Sequence, residues 1–359
     1  MQFHKKEVLL VVKNLTSGGA EKQSVLLAKS LNELYNVHYI VLNAKHQEPK
    51  YLQLLSESSN VNYTAFNGNL LLRIYRFYTY IKQNKIEYIF SYLTAANLFA
   101  VLTARLSGIQ HIYPGVRNAY LPPVKSIIER YLCNFFSTKT ILNCFSGKRY
   151  FEQRGFMNNK MVVIPNCFEH ITAYTPKQKK DNIVRIISVG RFVPQKDYDT
   201  ALRVIHQVSK IYANIQYLVV GYGALEKEIR NQIAELNLES VVKIYINPGN
   251  ISELLDEADI YLSTSIFEGT SNSIMEAMNA NLPVVATNVG DNNELVIHET
   301  TGYLTTVKNV PEIIAAVSTL IVDEPKRQWM GKNSKVHLQN NYSVEQFRRK
   351  YQQLIEAAA

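Results

Sequence analysis

The stretch Phe267-Glu268-Gly269-Thr270-Ser271-Asn272-Ser273-Ile274-Met275-Glu276-Ala277-Met278 runs from a loop into a helix that begins near Asn272. The apolar residues 260–263 before it, and Leu282-Pro283-Val284-Val285-Ala286-Thr287-Asn288-Val289-Gly290 after it, read as buried strands. Strand, helix and buried strand in that order imply a parallel sheet. Glu268 ends the loop behind the first strand. Gly269, Thr270, Ser271, Asn272 and Ser273 supply free amides, because the first turn of a helix leaves its N–H groups without partners. Such a terminus cradles phosphate oxygens while a carboxylate beside it accepts from hydroxyls, an arrangement suited to a sugar diphosphate. Glu276 lies about one turn into the helix, where it can accept from ribose hydroxyls. Taken singly, either glutamate reads as well as a solvated or capping carboxylate. Glu294, beyond the next turn, reads as exposed.

Outward from this unit, short β-branched runs alternate with longer amphipathic stretches along the whole chain. Strands are expected at residues 184–189, 216–220, 241–245, 260–263 and 283–286, and in the first half at 7–13, 37–41, 87–91, 111–114, 140–143 and 161–164. Helices are expected at 20–34 and 70–83, among others. Residues 169–182 are polar and lysine-rich and read as a linker. The expected architecture is α/β: a Rossmann-like domain over 1–168, a second over 183–342 facing it across a cleft, and a C-terminal helix in 343–359 that packs back on the first domain.

At 359 residues the chain exceeds what one core serves. No apolar run reaches the roughly 18 residues that span a bilayer, and the apolar stretch 8–12 is short for a signal peptide, so a cytoplasmic location is expected. The cysteines Cys133, Cys144 and Cys167 form no C-x-x-C pair and read as buried and inert. The net charge of +9 is uneven: residues 1–168 carry 20 Lys+Arg against 8 glutamates and no aspartate, whereas 169–359 carry 19 against 22 acids. The excess implies an anionic partner for the first half. Residues 70–85, with Arg73, Arg76, Lys82 and Lys85, and 120–139, with Lys125 and Arg130, read as basic amphipathic helices suited to an anionic membrane surface or, equally, as ordinary half-buried helices.

Two further turns carry chemistry. Gly18 and Gly19, between the first strand and its helix, let amides approach an anion. Ser188-Val189-Gly190-Arg191-Phe192-Val193-Pro194-Gln195-Lys196-Asp197 places Arg191 and Lys196 on one loop after a strand, able to meet one diphosphate.

Ser17-Gly18-Gly19-Ala20-Glu21, Ile164-Pro165-Asn166, Val189-Gly190-Arg191 with Lys196, Val220-Gly221-Tyr222-Gly223, Phe267-Glu268-Gly269 with Glu276-Ala277-Met278, and Pro283-Val284-Val285-Ala286-Thr287 occur in this order over nearly the whole chain. The sequence thereby resembles the family 4 glycosyltransferases, retaining enzymes of GT-B architecture within the glycosyl transferases group 1. The resemblance implies a nucleotide-sugar donor, best a UDP-sugar, and no metal or other cofactor. Arg191 and Lys196 would neutralise the diphosphate, Glu268 would hold sugar hydroxyls and Glu276 the ribose. Gly18 and Gly19 would approach the β-phosphate. Gly190, Gly221, Gly223 and Asn247 would border the nucleotide, and the amides from Gly269 to Ser273 would complete the cradle. The chain departs from relatives at Cys167, Asn281 and Asp291, which stand where many carry glycine. It reads Arg117-Asn118 where several carry histidine, so Arg117 is expected to meet an acceptor anion or to orient it.

An inverting reaction needs a positioned base on the acceptor side, and the first half offers only Glu21, His111 and His4. Retaining transfer dispenses with one, since the departing phosphate oxygen takes the acceptor proton. The expected protein is a peripheral enzyme on the inner face of the plasma membrane. It would transfer sugar to a lipid-linked, lipopolysaccharide or polysaccharide acceptor, with no nucleic acid as partner. A nucleotide-sugar epimerase on the same scaffold, or a non-catalytic nucleotide-binding relative, are the alternatives.

Overall fold

The computed structural model describes residues 5–45, 47–58, 60–117, 121–175 and 181–358; His4, Asn118, Tyr120 and residues 176–180 of the expected linker lie outside the described residues. The chain divides into two units, Met1–Glu169 with Tyr342–Ala359, and His170–Asn341.

The first unit holds strands β1 (Glu7–Val12), β2 (Asn36–Val41), β3 (Val61–Ala65), β4 (Tyr88–Tyr92), β5 (His111–Val116), β6 (Thr140–Leu142) and β7 (Met161–Val163), all parallel in the order β3-β2-β1-β4-β5-β6-β7. Between them run α1 (Gly19–Leu31), α2 (Pro49–Ser56), α3 (Leu70–Gln83), α4 (Thr94–Leu106), α5 (Pro123–Tyr131) and α6 (Phe145–Glu152), with a π-helical turn at Leu132–Phe136 after α5. Residues of β1 alternate between two cores, as the period of a strand requires. Val8, Leu10 and Val12 join the core under α1, and Leu9 and Val11 the core under α3 and α4. Burial on both faces is why β1 reads as an uninterrupted apolar run.

In the second unit, β8 (Val184–Val189), β9 (Ile215–Gly221), β10 (Val242–Ile246), β11 (Ile260–Ser263), β12 (Val284–Thr287) and β13 (Gly302–Thr305) form a parallel sheet in the order β10-β9-β8-β11-β12-β13. Its helices are α7 (Tyr198–Ile211), α8 (Glu226–Glu235), α9 (Ile251–Glu257), α10 (Asn272–Asn279), α11 (Asn292–Leu295), α12 (Val310–Val322) and α13 (Glu324–Tyr342). Both sheets are doubly wound, so each reverses its strand order once, at β1/β4 and at β8/β11. Loops leaving those two strands diverge, and the gap between them is where such sheets hold ligands.

The last helix, α14 (Val344–Glu356), starts at Ser343, whose hydroxyl accepts from the Gln346 amide at 3.3 Å. Phe347, Tyr351 and Ile355, one turn apart, are buried in the β1 core of the first unit. The three cysteines are buried, Cys167 between its own backbone and Gln23, and burial pushes its thiol up to about 12.

One carboxylate is wholly enclosed. Glu129 on α5 accepts from Asn97 Nδ2 at 3.0 Å, and Asn97 in turn ties Ser91 at the end of β4 to the Gly115 carbonyl of β5. Burial pushes the Glu129 carboxyl up from its ordinary 4.5, against the opposing pull of Asn97 and Thr94. The folded chain therefore keeps this proton to higher pH than the unfolded chain does. Its contribution to stability is full below about 4.5 and is lost as pH rises through the folded value. Glu129→Gln is expected to remove that decline and to be no less stable than the parent at neutral pH. Urea unfolding of both chains across a pH series measures the difference, and parallel curves would refute the burial argument.

Candidate active site

At the β8/β11 switch point, β8 hands over to the loop at 190–197 and β11 to the loop at 264–271. The two loops are laced together. Ile266 N donates to Gln195 O at 2.9 Å, Gln195 Nε2 donates to Phe267 O at 2.9 Å, and Thr264 Oγ1 donates to Asp197 O at 2.9 Å. The lacing brings Lys196 Nζ within 2.5 Å of Glu268 Oε1, an oxygen that also accepts from Ser265 Oγ at 2.8 Å. Glu268 is 9% exposed in its side chain, so this ion pair is largely removed from solvent. The Lys196 stem lies across Gly190: a Cβ on Gly190 would stand 3.1 Å from Lys196 Cε.

Glycines are required here by the closeness of backbones. A Cβ on Gly221 would stand 1.9 Å from Gly190 O, and one on Gly223 would stand 2.5 Å from Phe192 O. Asn247, in the left-handed region with φ 42°, closes the neighbouring turn by donating to Gly221 O at 3.0 Å. Gly190, Gly221, Gly223 and Asn247 thus share the carboxyl ends of β8, β9 and β10. Arg191 follows Gly190 on the same loop with its side chain exposed, and no ion pair to it is present among the described residues.

Helix α10 begins at Asn272 behind Ser271, whose hydroxyl lies 3.3 Å from that of Ser273. Burial pushes the Tyr261 phenol well up; Ser273 hydrogen bonds against that shift, while the Glu276 and Glu268 carboxylates add to it. The Tyr261 hydroxyl itself donates to Val189 O at 3.1 Å, at the end of β8. Gly290 seals the far side in the left-handed conformation, φ 58°, with Glu268 O only 2.0 Å from where its Cβ would be. Asn281 adopts φ 57°, which asparagine tolerates, and Asp291 is buried at the start of α11. Glu294 departs from expectation: it is half-buried, because α11 turns back into the unit instead of running into solvent.

The first unit places its expected residues differently. Gly18 is the N-cap of α1 and Gly19 its first residue; the Glu21 carboxylate lies beside Gly18 but not Gly19, on which a Cβ would meet nothing within 4 Å. A Cβ on Gly18 would stand 2.3 Å from Glu21 Oε2. The positive helix end thus has an anion of the chain's own beside it. Beside it a cavity of about 300 Å³ is lined by Lys13, Asn14, Glu21, Tyr92, Thr94 and Lys125, among others. Arg117, beyond the carboxyl end of β5, stacks 4.6 Å over Tyr92 and donates to Tyr351 of α14 at 2.7 Å. Nothing in the spacing of residues signals that tie to the last helix. His111 stands at the opposite, amino end of β5, stacked 4.9 Å from Tyr88, so it faces away from the edge where a base would be needed.

Residues 170–337 match the family described as Glycosyl transferases group 1. That match spans nearly the whole of the second unit, His170–Asn341. An uncharacterized glycosyltransferase of Haemophilus influenzae is 27% identical to the chain over 196 residues, 54% of each protein, so the alignment spans about half the length of that relative. The UDP-Gal:alpha-D-GlcNAc-diphosphoundecaprenol alpha-1,3-galactosyltransferase of Escherichia coli is 23% identical over 74% of each chain. Among solved structures, Anabaena Alr3699/HepE in complex with UDP superposes with a TM-score of 0.80 at 19% identity, covering 98% of this chain and 100% of that one. The two-sheet GT-B fold is thereby shared over nearly all residues, and the unit that matches the family carries the Lys196–Glu268 pair at its switch point.

Proposed function

We propose that the protein is a retaining glycosyltransferase of the family 4 type that moves a sugar from a UDP-sugar to a lipid-linked or polysaccharide acceptor, without a metal ion. The observation that carries this reading is the ion pair of Lys196 and Glu268 at the carboxyl edge of β8 and β11, with Arg191 exposed on the same loop as Lys196. Supporting it are the UDP held by a protein of the same fold and the diphosphoundecaprenol acceptor named for the Escherichia coli relative. Before donor arrives, Lys196 is neutralised by Glu268. When a donor diphosphate enters, Lys196 transfers its N–H groups to phosphate oxygens and Glu268 is released to accept from sugar hydroxyls. The bond from the anomeric carbon to the β-phosphate oxygen breaks and a bond to the acceptor oxygen forms on the same face. The acceptor proton passes to the departing phosphate, whose charge Arg191 and Lys196 stabilise. In the first unit, Arg117 serves as the acceptor-side cation, and the Glu21 cavity, with Lys13 and Lys125 in its lining, is the acceptor pocket in this reading.

The placement of His111 at the amino end of its strand removes one candidate base from the acceptor side and is in keeping with retaining transfer. The protein would work peripherally on the inner membrane face; no described helix is long and apolar enough to cross a bilayer. Incubation with a panel of nucleotide sugars, scored for nucleotide release with and without acceptor, is expected to select a uridine donor. The product anomer, read by NMR, is expected to keep the donor configuration. An inverted anomer would refute retention. Isomerised donor in the absence of acceptor would identify an epimerase instead.

A further inference from the structure

Helix α5 is turned inside out. Its buried residues are Ser126 and Glu129, while Val124, Ile127, Ile128 and Tyr131 are exposed, continued by Phe135 in the π-helical turn. A helix on a water-facing surface does the reverse. The neighbouring helices extend the pattern: α4 packs against α3, α5 and the π-helical turn and exposes Leu98, Leu102 and Leu106, and α3 exposes Leu71, Tyr75 and Tyr78. Helices α3 and α4 and the π-helical turn that continues α5 cover the side of the sheet that contributes Leu9 and Val11, opposite α1 and α14. The resulting apolar face is far larger than scattered surface leucines explain.

Charge decides what covers it. Residues 70–85, 94–110 and 123–139 contain eight Lys and Arg and a single carboxylate, Glu129, which is wholly buried. Arg76, Arg105 and Arg130 donate to backbone carbonyls, so their charge is left uncompensated. A second copy of the chain would bring the same cations to a symmetric contact and repel it. We propose that the outward face of α3, α4 and α5 is a docking surface for an anionic lipid bilayer, with the apolar side chains entering the acyl boundary and the cations meeting headgroups. This deepens the reading above and rests on it for the acceptor. Pro122 and Lys125, at the start of α5, line the cavity that holds Glu21, so a lipid-linked diphosphate passes from the docked bilayer to that cavity along one helix end. Burial of Glu129 is the counterpart of the inversion: its hydrogen bonds to Asn97 fix which face α5 shows outward.

The test is co-sedimentation with vesicles of phosphatidylcholine alone and of phosphatidylcholine with phosphatidylglycerol. The parent chain is expected to partition preferentially onto the anionic vesicles. Ile127→Asn with Tyr131→Asn, both at exposed positions, should lower that partition at least tenfold. Lys82→Glu with Lys85→Glu should lower it by roughly fivefold for each cation removed, or more, and flatten its salt dependence. Donor-dependent nucleotide release with a water-soluble acceptor should be unchanged in both variants, which separates failure of the docking surface from failure of the transferase reading. Equal partition onto neutral and anionic vesicles would overturn the proposal. So would variants that bind as the parent does, or substitutions that instead dissolve a dimer in sedimentation velocity.

Discussion

Lys196→Ala is expected to lower kcat for donor turnover by roughly 10²- to 10³-fold, the cost of removing one preorganised donor from developing negative charge. Two effects combine at this side chain. Its ammonium is aimed at the switch-point gap by the Thr264 and Gln195 bonds that lace its loop to the next. It is also the charge partner of Glu268, which without it keeps only the bonds from Ser265 and Gln195. Lys196→Arg is not a conservative rescue, because a planar fork cannot replace a point charge that must switch from carboxylate to phosphate. Arg191→Ala should cost on the order of 10²-fold in rate but nothing measurable in melting temperature, since Arg191 is exposed and no ion pair ties it down among the described residues. Initial rates of nucleotide release measure both. A Lys196→Ala chain that turns over within about threefold of the parent would remove the residue from the chemistry.

Gly290→Ala is expected to destabilise the second unit by about 2 kcal/mol or more, seen as a fall of at least about 4 °C in melting temperature. A left-handed φ of 58° costs an L-residue about 1–2 kcal/mol by itself. The added Cβ would also overlap Glu268 O at 2.0 Å, backbone against side chain, with no flexible end to give way. Relief comes only from moving the loop that carries Glu268, so activity should fall together with stability. Gly269→Ala, where a Cβ would meet nothing within 4 Å, supplies the contrast: a shift within about 0.5 kcal/mol. If the two alanine variants melt alike, the packing of Gly290 on the Glu268 loop does not matter.

Strands buried on both faces were plain in the sequence. Val184–Val189 and Ile260–Ser263 are short runs rich in β-branched and aromatic residues whose bounds agree with expectation, and they are the pair that make the switch point. Edge strands were hidden. Val61–Ala65 mixes Asn62 and Thr64 into a half-exposed run, and Gly302–Thr305 is short and opens on glycine, so neither shows the apolar signature of a central strand. Within the site, residue types and order marked the loops, but not what the side chains do before a ligand arrives. The Lys196–Glu268 pair and the Glu21 carboxylate over Gly18 are both local answers to unmet charge, settled by distances that spacing does not encode. Residues 120–139 show the limit most clearly: periodicity reports that a helix has two faces without saying which one looks outward, and here the polar face is the buried one.

The return of α14 to the β1 core has a consequence for biosynthesis. Phe347, Tyr351 and Ile355 leave the ribosome after every residue of the second unit, which has no need of them. The nascent first unit must wait with an uncovered patch beside Phe90 and Tyr113 while a whole later unit is translated and folds. Order of synthesis and order of completion are therefore reversed in this molecule, and a cut between Glu169 and His170 separates the first unit from the helix that completes its core.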